Sequence, residues 1–345
     1  MITGAYTAII TPFAGDSVDY EGLDRLSQFQ IQNGISGILA AGTTGESPVL
    51  TWEEHNSVME HVANETRGKC LCIAGTGSNN TKESLEASKH AAQMGADAVL
   101  LVDPYYNGPS SLEIRREYIA PAARAFPDMQ IIPYVIPGRT GTQLLPEDIA
   151  LLNRDFKNVA TVKEATGDIE NMRRTRECCG PDFTILSGDD GMTCQMMTDP
   201  GVKAAGIISV VSNVVPAAIS QMTRLFGERN QEEGKKLADA LDLLFGLVMV
   251  KTTEKTPFGE VVFRARNPLA VKTLMSVLGM PSGGCRPPMG KLTRNALDKV
   301  LGTARKVQAE NPEILKPVAE FFGVDIEERL NTPSNWDNLC YRDYQ

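Results

Sequence analysis

Ala98-Val99-Leu100-Leu101-Val102, followed at once by Asp103-Pro104-Tyr105-Tyr106-Asn107, is an apolar run without alternation that stops at a charge and a proline. A run of this kind suits a parallel strand covered on both faces. Working outward, similar runs lie at Tyr6–Ile10, Gly37–Ala41, Cys70–Ala74, Ile131–Val135, Val159–Lys163, Thr184–Ser187 and Ala205–Ile208. Their starts are between 21 (184 to 205) and 33 (37 to 70) residues apart, the spacing of strand–helix units. The segments between them read as helices. Leu23, Leu26 and Phe29 share a face and Gly34 follows as a terminating glycine. Thr51 and Glu54 form a capping box, Pro146 marks a helix start, and Ile169 with Met172 begins another helix. Eight such units predict a TIM (β/α)8 barrel over residues 1–215. Pro133, inside the fifth run, lacks the N–H that a closed sheet needs, so a bulge is expected there.

Beyond residue 215 the strand signals stop. Residues 216–250 and 268–310 read as helices separated by a stretch with Pro257, Gly259 and Pro268, giving a C-terminal helical appendage over 216–310. Residues 311–345 form an extension with one amphipathic piece (Ile314, Val318, Phe321, Phe322) and a polar tail containing Trp336, Tyr341 and Tyr344. It is expected to be an arm packing on its own or a neighbouring subunit.

The 345 residues are 42% hydrophobic, enough to bury a large core, which excludes intrinsic disorder. With 34 Lys+Arg against 43 Asp+Glu the formal charge is −9, which argues against nucleic-acid binding. Arg173-Arg174-Thr175-Arg176 reads as the solvated face of a helix. No stretch reaches the roughly 18–20 apolar residues of a membrane span, and Met1–Ile10 lacks the basic region of a secretory leader. Seven scattered cysteines, among them Cys70/Cys72 and Cys178/Cys179, and only three histidines make disulfides or a zinc site improbable. A reduced, cytoplasmic, metal-free protein is expected.

In such a barrel the chemistry sits at the C-terminal strand ends. Those ends here are Gly42-Thr43-Thr44-Gly45-Glu46, Gly75-Thr76-Gly77-Ser78-Asn79, Asp103–Asn107, Tyr134–Arg139, Lys163-Glu164-Ala165 and Gly188-Asp189-Asp190. Lys163 closes a buried run, and desolvation lowers a lysine toward the neutral amine that forms Schiff bases with ketones. Its plain alternative is a lysine snorkelling from the strand end. Alternation sends Glu164 to the opposite face. Tyr134 reads either as a proton-transfer phenol or as a core tyrosine. Thr43-Thr44 offers amides and hydroxyls to a carboxylate, and Arg139 offers a guanidinium fork or a surface ion pair. Gly75-x-Gly77 lacks the third glycine of a dinucleotide fingerprint. Asp189-Asp190 reads as a helix cap rather than a metal site.

Taken together, these motifs resemble the dihydrodipicolinate synthase / N-acetylneuraminate lyase family of class I aldolases. Gly42–Glu46, Ala74–Gly77, Pro104–Asn107, Lys163–Gly167, Ser187–Asp190, Asn267–Lys272 and Met289–Leu292 stand in family order, covering about the first 295 residues. Pro137-Gly138-Arg139-Thr140-Gly141 is similar to the synthase branch. The resemblance implies an imine between Lys163 and pyruvate, with no separate cofactor, and the pyruvate carboxylate on Thr43-Thr44. It implies condensation with L-aspartate 4-semialdehyde to 4-hydroxy-tetrahydrodipicolinate, in lysine and diaminopimelate biosynthesis. Tyr134 would relay protons through Thr43 to Tyr106 of a neighbouring subunit in a homodimer or homotetramer. Arg139 would hold the semialdehyde carboxylate, the carbonyl of Ile208 would steer Lys163, and Gly188 would border the substrate. Ser47, Trp52, His55, Asn79, Glu83 and Tyr105 resemble a feedback site for L-lysine, in which a free Glu83 carboxylate and Asn79 amide would receive the ammonium group. Val135 replaces the usual Asn, Pro48 the usual small residue, and the chain after about residue 300 has no counterpart in shorter members. Two other readings remain: a sibling aldolase or dehydratase acting on a 2-keto-3-deoxy sugar acid or hydroxyproline-derived substrate, and a non-catalytic metabolite-binding barrel.

Overall fold

The computed structural model describes residues 2–344. Eight parallel strands close a barrel: β1 (Gly4–Ala8), β2 (Gly37–Ala40), β3 (Leu71–Gly75), β4 (Ala98–Val102), β5 (Gln130–Val135), β6 (Thr161–Glu164), β7 (Thr184–Ser187) and β8 (Gly206–Ser209). Each pairs with its sequence neighbours, and β1 pairs with β8 to close the ring. The expected strands match these within two residues at each end. The closing seam depends on glycine: a Cβ on Gly206 would lie 1.9 Å from the carbonyl oxygen of Gly4. Inside the barrel, Tyr6, Leu39, Ile73, Leu100, Ile132 and Ile208 form one buried cluster, and the larger outer cluster lies under the helices.

The helices follow the expected signals. In α1 (Tyr20–Gln32) Leu23, Leu26 and Phe29 are buried, and Gly34 takes φ +76° just beyond its end. In α2 (Trp52–Thr66) the Thr51 hydroxyl accepts from the Glu54 N–H at 3.2 Å and the Glu54 carboxylate accepts from the Thr51 N–H at 3.0 Å. A cap of this kind contributes about 1 kcal/mol. The outer layer continues with α3 (Thr81–Met94), α4 (Ala120–Ala125), α5 (Pro146–Asp155), α6 (Ile169–Cys179), α7 (Thr193–Thr198) and α8 (Pro216–Gly227).

Pro133 pairs with Leu101 inside an unbroken β5. The irregularity falls on the neighbouring strand. Ile131 N–H donates to Asn158 O and Ala165 N–H donates to Val135 O. A regular parallel ladder begun at the first bond would reach residue 164 rather than 165 at the second, so the sixth strand carries one extra residue opposite Pro133.

The expectation that strands end at 215 is corrected. After α9 (Gln231–Phe245), β9 (Met249–Thr256) and β10 (Gly259–Arg266) form an antiparallel hairpin whose turn is Pro257-Phe258. Its inner face mixes the buried Val250 and Ala265 with polar residues, and a buried carboxylate in the middle of the first strand interrupts the apolar pattern. Buried Glu254 accepts from Thr252 Oγ1 at 2.7 Å, Thr293 Oγ1 at 2.7 Å and Asn295 Nδ2 at 2.9 Å. The long helix expected over 268–310 is two, α10 (Leu269–Val277) and α11 (Arg294–Glu310), parted by a segment rich in Gly and Pro.

The extension packs on its own chain. Phe321 and Phe322 of α12 (Lys316–Phe322) place their rings 5.3 and 5.1 Å from that of Phe29. Arg329 of α13 (Ile326–Asn331) donates to the carbonyls of Ser276 and Val277 at 2.8 and 2.7 Å, closing the C-terminus of α10. Tyr341 N–H donates to Leu292 O at 2.8 Å.

Candidate active site

Adjacent parallel strands in register present their side chains to the same face. Tyr134 on β5 is the Cα partner of Lys163 on β6, so both enter the barrel. Both are buried, and the Lys163 Nζ lies 4.2 Å from the centroid of the Tyr134 ring. Burial pushes the amine down to about 7, with the Asp190 carboxylate pulling the other way. Burial pushes the Tyr134 phenol up to about 12, opposed by the charge of Arg139 and by a hydrogen bond with Thr43. At neutral pH the pair is an amine about half of which is unprotonated beside a protonated phenol. Glu164, one residue on, faces outward, where it accepts from Thr166 N–H at 2.7 Å and Asn171 Nδ2 at 3.1 Å. It makes no ion pair with Lys163, as alternation predicts.

The loop after β2 is held from below. Glu46 adopts φ +57° and its carboxylate takes Lys272 Nζ at 2.7 Å, both side chains fully buried. Lys272 also donates to Thr11 O at 2.8 Å, and the second Glu46 oxygen accepts from Arg286 N–H at 3.0 Å. Asn267 Nδ2 donates to Thr44 Oγ1 at 2.9 Å, while the Asn267 carbonyl accepts from Arg139 Nη2 at 3.3 Å. Accepting from Asn267 leaves the Thr44 hydroxyl proton free for another acceptor. Asn267 thus ties the threonine loop to Arg139, which projects from a helical turn, Pro137–Thr140. A cavity of about 210 Å³ opens here, with Thr43, Ser47, Gly75, Tyr105, Tyr134 and Arg139 in its walls.

The remaining candidates divide by position. A Cβ on Gly188 would lie 3.1 Å from both Cγ and Cε of Lys163, so this glycine leaves room for the lysine stem. Ile208 is buried in the barrel interior and pairs with Tyr6. Tyr106 stands 85% exposed, outside the walls of its own chain's cavity. Of the residues expected to hold lysine, Ser47 and Tyr105 line the main cavity. His55 is buried, packed edge-on against Trp52 at 5.2 Å and held neutral by burial, which pushes it down to about 4. The expected free carboxylate and amide are corrected. Asn79 Oδ1 accepts from the Tyr105 N–H at 2.7 Å, and Glu83 accepts from Ser78 Oγ at 2.7 Å. Of the two aspartates expected to cap, Asp189 does, accepting from Gly191 N–H at 3.0 Å. Asp190 is instead buried, taking the Ser209 hydroxyl and the Val210 and Val211 N–H groups.

The family model described as "Dihydrodipicolinate synthetase family" matches residues 1–307. The chain belongs to the dihydrodipicolinate synthetase family. The 4-hydroxy-tetrahydrodipicolinate synthase of Nitratidesulfovibrio vulgaris (strain DP4) is 40% identical over 277 residues, 80% of this chain and 88% of that protein. Among solved structures, the chloride-inhibited dihydrodipicolinate synthase of Acinetobacter baumannii complexed with pyruvate superposes with a TM-score of 0.80 at 30% identity, covering 89% of this chain and 99% of that one. The enzyme of Cyanidioschyzon merolae with lysine bound gives a TM-score of 0.79 at 33% identity, covering 89% and 97%. The family match stops short of α12 and α13, so the extension lies outside what this chain shares with the family model.

Two site features of this family member escaped the sequence reading. The Asn267 bridge joins residues 223 and 128 positions apart in the chain, a pairing no local pattern encodes. The Asn-Pro step before an apolar helix was the visible signal. The Glu46–Lys272 pair spans 226 positions, and its signal was a lysine inside the otherwise apolar Leu269–Val277.

Proposed function

We propose that the chain is a class I lyase that condenses pyruvate with L-aspartate 4-semialdehyde to 4-hydroxy-tetrahydrodipicolinate, serving lysine and diaminopimelate biosynthesis in the cytoplasm. The observation that carries this reading is the buried Lys163 amine, pushed down to about 7 and seated on the Tyr134 ring. The neutral amine adds to C2 of pyruvate, and water leaves to give the protonated imine. Loss of a C3 proton gives the enamine. Its C3 attacks the aldehyde carbon of the semialdehyde, whose oxygen takes up a proton. The amino group of that product then adds to C2, and the Lys163 amine departs as the ring closes. One water is released overall, and the imine needs no external cofactor. Tyr134, protonated up to about 12, supplies and recovers the protons. The free Thr44 hydroxyl proton and the adjoining Thr43 receive the pyruvate carboxylate, Arg139 the carboxylate of the semialdehyde. Ile208 steers the lysine through its carbonyl, and Gly188 borders the substrate.

Tyr106, exposed in its own subunit, completes the relay in a neighbouring one, within a homodimer or homotetramer. L-Lysine acts as an inhibitor at Ser47, Trp52, His55, Asn79, Glu83 and Tyr105, in keeping with the lysine-bound relative from Cyanidioschyzon merolae. The ammonium group would have to compete with the Tyr105 and Ser78 hydrogen bonds already made there.

Borohydride reduction with pyruvate and peptide mass mapping tests the reading: the adduct is expected on Lys163. Turnover is expected with aspartate semialdehyde and not with 2-keto-3-deoxy sugar acids. An adduct elsewhere, or preference for the sugar acids, rejects it. The same trapping run with millimolar-scale L-lysine is expected to slow, and an unchanged rate rejects the inhibitor site.

A further inference from the structure

The hairpin β9–β10 begins where the site ends. Arg266, its last residue, immediately precedes Asn267, whose carbonyl holds Arg139. The register pairs Met249 with Arg266, Lys251 with Arg264, Thr253 with Val262 and Lys255 with Glu260, and all eight of these residues are exposed. The outward face therefore carries four cations and one carboxylate, in a protein whose formal charge is −9. Among the described residues, no carboxylate lies within ion-pair distance of Lys251, Lys255, Arg264 or Arg266. Several other exposed cations of the chain, such as Arg174, Arg224, Lys236 and Arg294, are paired; what sets the hairpin apart is that its four cations share one face. Arg266 is also near enough to Arg139 for its charge to disfavour that guanidinium. Two cations this close together, with no anion between them, suit a passing anion.

We propose that this face is a strip that gathers pyruvate, raising its concentration at the mouth of the cavity. The inference rests on the functional reading above and adds residues to it. A protein of net negative charge repels a small monoanion, and a local positive strip reverses that repulsion along one path. Successive outward rungs are two residues, about 7 Å, apart. That is within the Debye length of about 8 Å at physiological salt, so the fields of adjacent rungs merge. The strip runs from Lys255 through Lys251 and Arg264 to Arg266 and so to Arg139. It discriminates by net charge. Pyruvate is an anion, whereas aspartate semialdehyde carries one ammonium and one carboxylate and is neutral overall.

The test replaces Lys251, Arg264 and Arg266 together by Gln and follows pyruvate trapping at Lys163 against pyruvate concentration and salt. At low salt the half-saturating pyruvate concentration is expected to rise several-fold, to about tenfold at most. The saturating trapping rate is expected to hold, and the gap to the unsubstituted protein to close at high salt. KM for the semialdehyde is expected to stay unchanged. A second variant, Arg264→Lys with Arg266→Lys, keeps the charge and is expected to behave like the unsubstituted protein. A Gln variant that saturates with pyruvate like the unsubstituted protein at low salt overturns the strip, as does a loss that persists at high salt or falls equally on both substrates. If the unsubstituted protein gains no adduct on Lys163, the functional reading falls and the strip with it.

Discussion

Lys163 shows how a single side chain is tuned by its position on a strand. In the unfolded chain a lysine titrates near 10.5, and in the barrel burial brings this one down to about 7. Between those two values the unfolded chain holds a proton that the folded one has released. Stability therefore rises with pH across that window and is lowest below it, where folding must bury a charged amine. Chemistry moves in the same direction, because only the neutral amine attacks pyruvate. Two results are expected together. The rate of pyruvate trapping should climb in one step centred near pH 7. Denaturant unfolding should show a pH-dependent gain from pH 7 to 10 that Lys163→Met, which has no proton to lose, does not share. Parallel pH profiles for the two proteins would contradict the depressed amine. The position of this residue was legible from sequence, as a lysine ending the buried run Val159–Val162. Its role became so only through the ordered motifs around it, since a lysine snorkelling from a strand end has the same local pattern. Gly188 and Asn267 were not legible in their roles. What each does depends on atoms brought to it by distant strands.

At the scale of elements, the barrel strands position the lysine and the phenol, while the part of the chain beyond them positions the loop. Glu46 and Lys272 are fully buried and bonded to one another, with Thr11 O and Arg286 N–H as further partners. A buried pair of this kind adds little net stability over apolar residues, yet removing one partner strands the other's charge. Lys272→Met is expected to cost about 3–5 kcal/mol in denaturant unfolding. Adding Glu46→Gln should recover most of that loss, since it removes the stranded charge. Equal losses in the single and double variants would mean that the pair matters only through packing. The hairpin β9–β10 was missed at this scale for a related reason. Its inner face buries the hydrogen-bonded Glu254 alongside Val250 and Ala265, so hydrophobic alternation is muted. Its Pro257 and Gly259 suit an interhelical break as well as a turn.

For the whole molecule, the question is what one chain leaves incomplete. The cavity has its phenol, threonine loop and guanidinium, with the Lys163 amine against the Tyr134 ring, while Tyr106 stands exposed outside it. If Tyr106 acts in a neighbouring subunit, Lys163→Ala and Tyr106→Phe should each be weakly active alone. Mixed subunits, unfolded and reassembled together, should regain activity, because one hybrid site then has both residues intact. Activity that never exceeds the sum of the separate variants would show that each subunit works alone. The extension does not supply the missing group. It covers Phe29 and the C-terminal end of α10.

Read alone, the sequence determined the strand count, the helix caps and the strand ends that bear Lys163, Tyr134, Thr43-Thr44 and Arg139. Those signals are local: a run of apolar residues, a cap or a terminal lysine is written within a few neighbouring positions. Only the tertiary structure decided that Asn267 joins Thr44 to Arg139, that Lys272 anchors Glu46, that the proposed lysine-binding amide and carboxylate are already hydrogen-bonded, and that a basic hairpin face adjoins the mouth. Each of these depends on which groups folding brings within hydrogen-bond or Coulomb range. That proximity is set by closure of the barrel and the packing of the C-terminal elements, and no short pattern in the chain records it.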